Sequence, residues 1–259
     1  MRKIFLTLCL LSGALLPGGE GALRIADASR AGINALQAAA LTLAQESRTA
    51  VTVDRVPPRE ALRRLKAGQA DLIVLEHGNL PEKTPAVCRL FAAEVLAVYV
   101  HSSNPVKGIK RKELKEILTD KRPNWLSLHP LRQTDIHRYG LSLRAPGNGL
   151  GESLLGVENF AQDIFRLNST REVILLTGSD AESLGIGLLM PDLPPEVRTL
   201  RINGVLPLPG TVASGKYLLC WRYYVLAPEK PLAAAGKYLE LMKKISFARE
   251  LEKFGFMAL

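Results

Sequence analysis

Apolar positions along the chain fall into short blocks with two alternating periods. Residues 23–25 form a short apolar strand block, and Ile33, Leu36, Ala40 and Leu43 then mark one face of a helix. Asp27 or Ser29 is placed to cap that helix. Residues 51–56 alternate as a strand, and Pro57-Pro58 opens a helix over 59–67 that Gly68 ends. Blocks at 72–75 and 95–101 read as buried strands. A turn over 102–108 leads into a short basic helix whose apolar face is Leu114, Ile117 and Leu118. The same alternation predicts a strand over 141–144, a glycine-rich turn over 147–151, and helices over 152–165 and 170–176. Strands follow over 184–190, 197–202 and 217–226, then helices over 232–244 and 247–253. Strands alternating with helices predict an α/β fold with mainly parallel sheets.

The first block differs in kind. Arg2 and Lys3 precede an apolar run over 4–16, and small residues follow over 17–22. This is the layout of a secretory signal peptide, cleaved near Gly21 or Ala22. The run is shorter than the roughly 20 residues of a membrane span. Cys9 follows Leu8 rather than a small residue, so no lipid attachment is expected there. The mature chain is expected in the periplasm or outside the cell.

Composition narrows the classes further. With 259 residues, 47% hydrophobic and 23% charged, the chain has the content of a folded protein of one large or two modest domains. Lys and Arg number 34 against 25 Asp and Glu, a formal net charge of +9. Export, and the lack of zinc-finger spacing or aromatic RNA-binding motifs, argue against a nucleic-acid partner. The densest basic run, 107–115, lies along one face of the expected helix and reads as a solvated surface. Outside the leader two cysteines remain, Cys88 and Cys220, which could pair in an oxidising compartment or serve as small core residues. Trp125 and Trp221 read as packing residues.

Candidate chemistry concentrates in one loop. Arg144-Ala-Pro-Gly147-Asn148-Gly149-Leu150-Gly151 follows a strand block and opens a helix. Glycines admit close approach of backbone N–H groups, a helix N-terminus carries unpaired donors, and a guanidinium contacts oxyanions in bidentate fashion. The loop reads either as an anion site or as a plain strand-to-helix turn. Its spacing is not a dinucleotide fingerprint and it lacks the Gly-Lys-Ser/Thr of a Walker loop. His77, His101, His129 and His137 have no partner at metal-site spacing, and no nucleophile elbow occurs. Neither a catalytic constellation nor a metal or other cofactor is expected.

Several segments together resemble the substrate-binding proteins of bacterial phosphate ABC transporters. They are Gly68-Gln-Ala-Asp71, Ser103-Asn-Pro105, the helix over 114–120 with Lys121-Arg-Pro-Asn124-Trp125, and the runs 200–205, 212–219 and 221–226. The closing segment 247–259, with Gly255-Phe256 and a final Leu259, matches the family's last helix and finish. The resemblance implies a type II periplasmic-binding-protein fold, with two α/β lobes joined by a hinge of crossing strands near 101–105 and 217–222. Lobe 1 is then 23–101 with 222–259, and lobe 2 is 102–221, after a signal peptide over 1–22.

The resemblance also implies a ligand site between the lobes and no enzymatic activity. The family's Arg-x-x-Gly-Ser-Gly-Thr loop corresponds to 144–150, with Asn148 and Leu150 standing where the family has Ser and Thr. Its first-loop hydroxyls correspond to 27–29, of which Ser29 keeps one, and its acidic residue corresponds to Glu76. Pro57-Pro58 stands where a Gly-Ser pair supplies donors in the family. The implied ligand set is Ser29, Arg30, Glu76, Arg144, Asn148, Gly149, Leu150 and Gly151. The implied ligand is phosphate or another small anionic solute, and the implied partner is an ABC transporter permease serving a monomeric receptor. The departures at Leu150 and Pro57-Pro58 favour an alternative: the same fold retained as a sensory or protein-interaction module without transport.

Overall fold

The computed structural model describes residues 22–29, 50–83, 87–120, 123–147 and 149–259. The leader through residue 21 with Cys9, the helix through Ile33 and Leu43, Arg30 and Asn148 lie outside the described residues.

The first half of the chain builds the strands that everything else leans on. β1 (Leu23–Asp27) and β2 (Val51–Arg55) are followed by α1 (Pro58–Lys66). Pro58 starts α1 where no N–H is needed, and Gly68 follows it with a left-handed φ of 65°. β3 (Leu72–Glu76) is buried along its whole length. β4 (Val87–His101) begins eight residues before the expected 95, because Arg89 and Glu94 interrupt the apolar pattern of its first half. β5 (Gly108–Ile109) precedes α2 (Arg111–Thr119), where Glu113 accepts the Lys110 N–H at 2.8 Å. Leu114, Ile117 and Leu118 are buried while Lys107, Lys110, Arg111, Lys112 and Lys115 are exposed, so the basic run is a solvated face.

The second half departs more often from the pattern. β6 (His137–Leu141) stands four residues earlier than the strand expected over 141–144, which is instead the turn leading to Pro146-Gly147. α3 (Leu150–Leu155) stops where Gly156 takes a left-handed φ of 66°, so the helix expected over 152–165 is one short helix. Phe165 belongs to β7 (Phe165–Leu167). α4 (Thr170–Ser179) and β8 (Ser183–Leu188) follow. The strand expected over 197–202 breaks into β9 (Val197–Thr199) and β10 (Arg201–Ile202), because the Leu200 N–H turns to the Val98 carbonyl at 2.8 Å. The five-residue α5 (Pro209–Ala213) has too few residues to show a period. β11 (Cys220–Ala227), α6 (Ala233–Leu241), α7 (Ile245–Lys253) and β12 (Phe256–Ala258) close the chain.

The main sheet runs β2-β1-β3-β11-β4-β8-β6-β7, with β12 and β9 also on β4. β2-β1-β3 and β8-β6-β7 are parallel, and β3-β11-β4-β8 are antiparallel. The expectation of mainly parallel sheets is therefore corrected. Two parallel triplets flank a pair of strands that carry the chain between lobes and must run in opposite senses. β4 pairs with β11 through Val95 and with β8 from Leu96, so it changes partners between those two residues. The chain returns where the Leu96 N–H meets the Leu219 carbonyl at 2.9 Å.

Each half has its own core. Leu96, Leu114, Trp125, Leu150, Ile186 and Leu188 share one cluster, and Ile25, Leu72, Val225, Tyr238 and Phe247 share another. Trp125 is fully buried and its ring N–H donates to the Glu182 carbonyl at 3.0 Å, a packing role. Cys88 and Cys220 are both free thiols. Cys88 lies beside Leu226 while Cys220 lies beside Val95, seven positions further along β4. That is roughly 24 Å at the antiparallel rise, far beyond disulfide reach. Among the described residues no helix is long and apolar enough to cross a membrane.

Candidate functional site

Strand register fixes where the site can be. β3 ends at Glu76, opposite Tyr223, which in turn faces Ala92 of β4. On the other side Leu188, the last residue of β8, faces Leu96. β6 runs parallel to β8, so its carboxyl end arrives at the same place. The carboxyl ends of both parallel triplets therefore point at the partner change in β4. A crevice outside opposed strand ends is the general ligand position of open α/β sheets. The loops at 27–29, 76–79 and 142–151 issue into it.

The first of these loops is locked internally. Asp27 is fully buried, and one of its oxygens accepts the Ser29 N–H at 2.9 Å and the Ser29 hydroxyl at 2.6 Å. Burial pushes the Asp27 carboxyl up, against the pull of those two bonds and of the Arg55 charge. Ser29 thus spends its proton on Asp27 and offers only lone pairs outward. The second Asp27 oxygen and the Tyr238 hydroxyl are buried with no hydrogen-bond partner among the described residues.

The second loop brings an acid pair. Glu76 is buried, and its charge acts on Glu94 of β4. Burial is the main force raising the Glu94 carboxyl above the usual range; the Tyr223 hydroxyl, which donates to it, works the other way, and Glu76 adds to the rise. Burial and the Arg222 charge pull the neighbouring His77 down. Glu76, Glu94 and Tyr223 therefore gather on one face of the crossing strands, while Arg222, next to Tyr223 in β11, points to the other. Glu94, Arg222 and Tyr223 were not among the candidates from sequence. Their one signal was a lone charge inside an apolar strand block, at Glu94 and again at Arg222.

That acid pair carries a pH dependence. An acid with a raised folded-state pKa favours folding below its unfolded pKa, and loses that contribution as pH rises through the folded value. Stability tied to Glu94 is thus expected to fall as pH climbs out of the ordinary carboxylate range. Glu94→Gln keeps an acceptor for Tyr223 and removes the charge. Thermal melts should show the variant above the parent at about pH 8 and level with it at about pH 4. Equal melting at both values would contradict a strained carboxylate here.

The third loop is the glycine turn. Gly147 and Gly149 take left-handed φ of 78° and 74°, which ordinary side chains resist. A Cβ on Gly147 would lie 2.7 Å from the Leu188 side chain, so this glycine also permits the loop to seat against the crossing. A Cβ on Gly151 would lie 2.9 Å from the Phe160 ring. Leu150 turns inward: its side chain is 1% exposed and its N–H donates to the Gly147 carbonyl at 3.2 Å. Arg144 is exposed in the turn ahead.

A small recess joins this loop to the crossing, lined by Leu96, Gly147, Gly149, Gly151, Phe160 and Arg166 among others. Arg166 was not singled out in the sequence, and only the parallel pairing of β6 with β7 brings it here. Its guanidinium lies 5.6 Å from the centre of the Phe160 ring, donates to the Leu141 carbonyl at 3.1 Å and pairs with Glu152 at 3.5 Å. Glu152 sits in the first turn of α3, where it complements the helix dipole from within. Of the sequence candidates, Gly149, Leu150 and Gly151 form one turn with Arg144 on its approach, while Glu76 ends β3 and Ser29 lies two residues past the end of β1, both in the other triplet. Among the described residues no group of three or more His, Cys, Asp or Glu is placed to hold a metal ion.

This arrangement is that of a two-lobed α/β binding-protein fold of type II, and the chain belongs to the PBP superfamily: the model of the PBP superfamily domain matches residues 19–149. Among solved structures the fold is similar to an ABC-type phosphate transport receptor from Vibrio cholerae, at 19% identity and a TM-score of 0.63 over 91% of this chain and 99% of that one. It is similar to PstS from Borrelia burgdorferi, at 19% identity and a TM-score of 0.71 over 92% and 99%. A possible phosphate binding protein from Planctomyces limnophilus DSM 3776 also superposes, at 13% identity and a TM-score of 0.71 over 93% of each chain. No curated protein matches the chain.

Proposed function

We propose that the protein is an exported solute-binding component of an ABC-type uptake system, holding phosphate or another small oxyanion between its lobes. The observation that carries this reading is the convergence of both sets of strand ends on the partner change between Val95 and Leu96. Membership of the PBP superfamily supports it, and the similar folds include one named as a phosphate transport receptor and one named as a possible phosphate binding protein. β4 with β11 is the hinge between the lobes, at the partner change from Val95 to Leu96. The leader directs export, and the mature monomer meets a permease. Arg144 supplies charge, and the backbone of Asn148, Gly149 and Gly151, with the amide at Arg30, supplies neutral donors.

Glu76 gives the site a preference. An ionised carboxylate can face an oxyanion only across a shared proton. Phosphate carries such a proton at neutral pH and sulfate does not, so phosphate is favoured. A second reading, a sensory or protein-interaction module, draws on Leu150 facing the core and on the acid pair at the crossing.

A thermal-shift panel of small anions separates the two. Phosphate at about 100 times its Kd should stabilise the protein by roughly 2.7 kcal/mol, and sulfate at equal concentration by much less. A panel in which no anion moves the melting temperature would contradict the solute-binding reading.

A further inference from the structure

A second basic recess lies at the other end of the β8-β6-β7 lobe. Ser102, Asn104, Lys107, Arg198, Thr199 and Arg201 line it, with Pro105 and Leu206 at its edge. Three of these eight residues are cationic and none is acidic. Five steps of β4 separate Leu96 from His101, roughly 17 Å at the strand rise, so the recess is remote from the crossing.

Its walls are built rather than incidental. The Arg198 guanidinium donates to the carbonyls of Asn104 and Val106. The Arg201 N–H donates to the Lys107 carbonyl at 3.2 Å. These bonds pin β9 and β10 against 104–107 and hold the three cations around one hollow. None of the three forms an ion pair among the described residues. Burial pulls the Arg198 guanidinium below its usual range, which an adjacent anion would reverse.

Asn104 points to a ligand independently. It is 3% exposed, and its Oδ1 accepts the Val106 N–H at 3.0 Å. Its Nδ2 is buried with no acceptor among the described residues. A primary amide brings two N–H donors, and leaving them without an acceptor is costly. The remaining requirement of this hollow is for anionic, hydrogen-bond-accepting oxygens.

We infer that this recess is a binding site for a small free polyanion bearing clustered phosphate or carboxylate oxygens, separate from the inter-lobe crevice. The cations are spread over three backbone positions, which fits several oxyanion groups better than one. Lys107 and Arg201 meet the outer groups and Asn104 the innermost oxygen.

Calorimetric titration with inorganic pyrophosphate tests it on the full-length protein and four variants. Arg201→Ser and Lys107→Ser should each weaken binding by about 10-fold, the loss of one charge-assisted hydrogen bond. Asn104→Asp keeps the acceptor for Val106 and turns the unmatched donor into a repelling oxygen. It should abolish binding, and because a buried carboxylate also lowers stability, the exposed-site variants Arg201→Ser and Lys107→Ser keep the test independent of folding. Arg144→Ala, which strikes the crevice, should leave this binding component intact. Absence of pyrophosphate binding, or binding that Arg144→Ala removes and Arg201→Ser spares, would overturn the inference. A hexaglutamate peptide that binds more tightly than pyrophosphate would overturn it too, by assigning the recess to an acidic protein segment.

Discussion

Replacing Gly147 by valine is expected to destabilise the protein by about 2–6 kcal/mol. Two independent costs add. A branched side chain held at φ 78° carries strain of about 1–3 kcal/mol. The new Cβ would also sit 2.7 Å from Leu188, and overpacking of that kind costs about 1–3 kcal/mol. Leu188 faces Leu96, so relief by moving Leu188 would disturb the register of β4 with β8 at the partner change itself. Denaturant unfolding of parent and variant measures the difference. A loss below about 1 kcal/mol would show that the loop does not seat against the crossing as described.

Leu150→Thr is expected to lose about 2–5 kcal/mol of stability and to gain no affinity for an anion. From sequence, Leu150 stands where the resembled family carries a threonine, so restoring the hydroxyl looks like restoring a donor. The fold reverses that expectation. Leu150 packs in the cluster with Leu96, Ile186 and Leu188. A threonine there would leave a cavity and bury a hydroxyl among apolar side chains. For a chain of this length the melting temperature should fall by roughly 5–15 °C. An unchanged melting temperature with tighter phosphate binding would contradict the inward placement.

The parts of the fold that were legible in sequence are those with strong local punctuation. Pro57-Pro58 and Gly68 bracket α1, and the apolar run 72–75 is β3 nearly to the residue. Where punctuation and pattern disagree, the local sequence points away from the fold. Gly156 ends α3 inside an otherwise helical stretch, and Pro146-Gly147 turns a stretch that looks extended. The antiparallel heart of the sheet was hidden because direction is not encoded locally. It follows from β4 and β11 both crossing between lobes.

The candidate site was legible only in part for a related reason. The glycine loop announces itself by composition. Arg166 and Glu94 take their places at the site and the crossing through strand pairing between residues far apart in the chain, as Gly140 opposite Arg166 and Trp221 opposite Glu94 show. No spacing rule within one segment could bring them together.

The most direct measurement of the central claim is calorimetric titration of phosphate into the parent protein and into Arg144→Ala. Saturable binding to the parent at one site is expected, with a loss of about 1.5–3 kcal/mol in the variant, or roughly 10- to 150-fold in Kd. Equal affinity in the two proteins, or no phosphate binding by the parent, would contradict an anion held at this loop between the lobes.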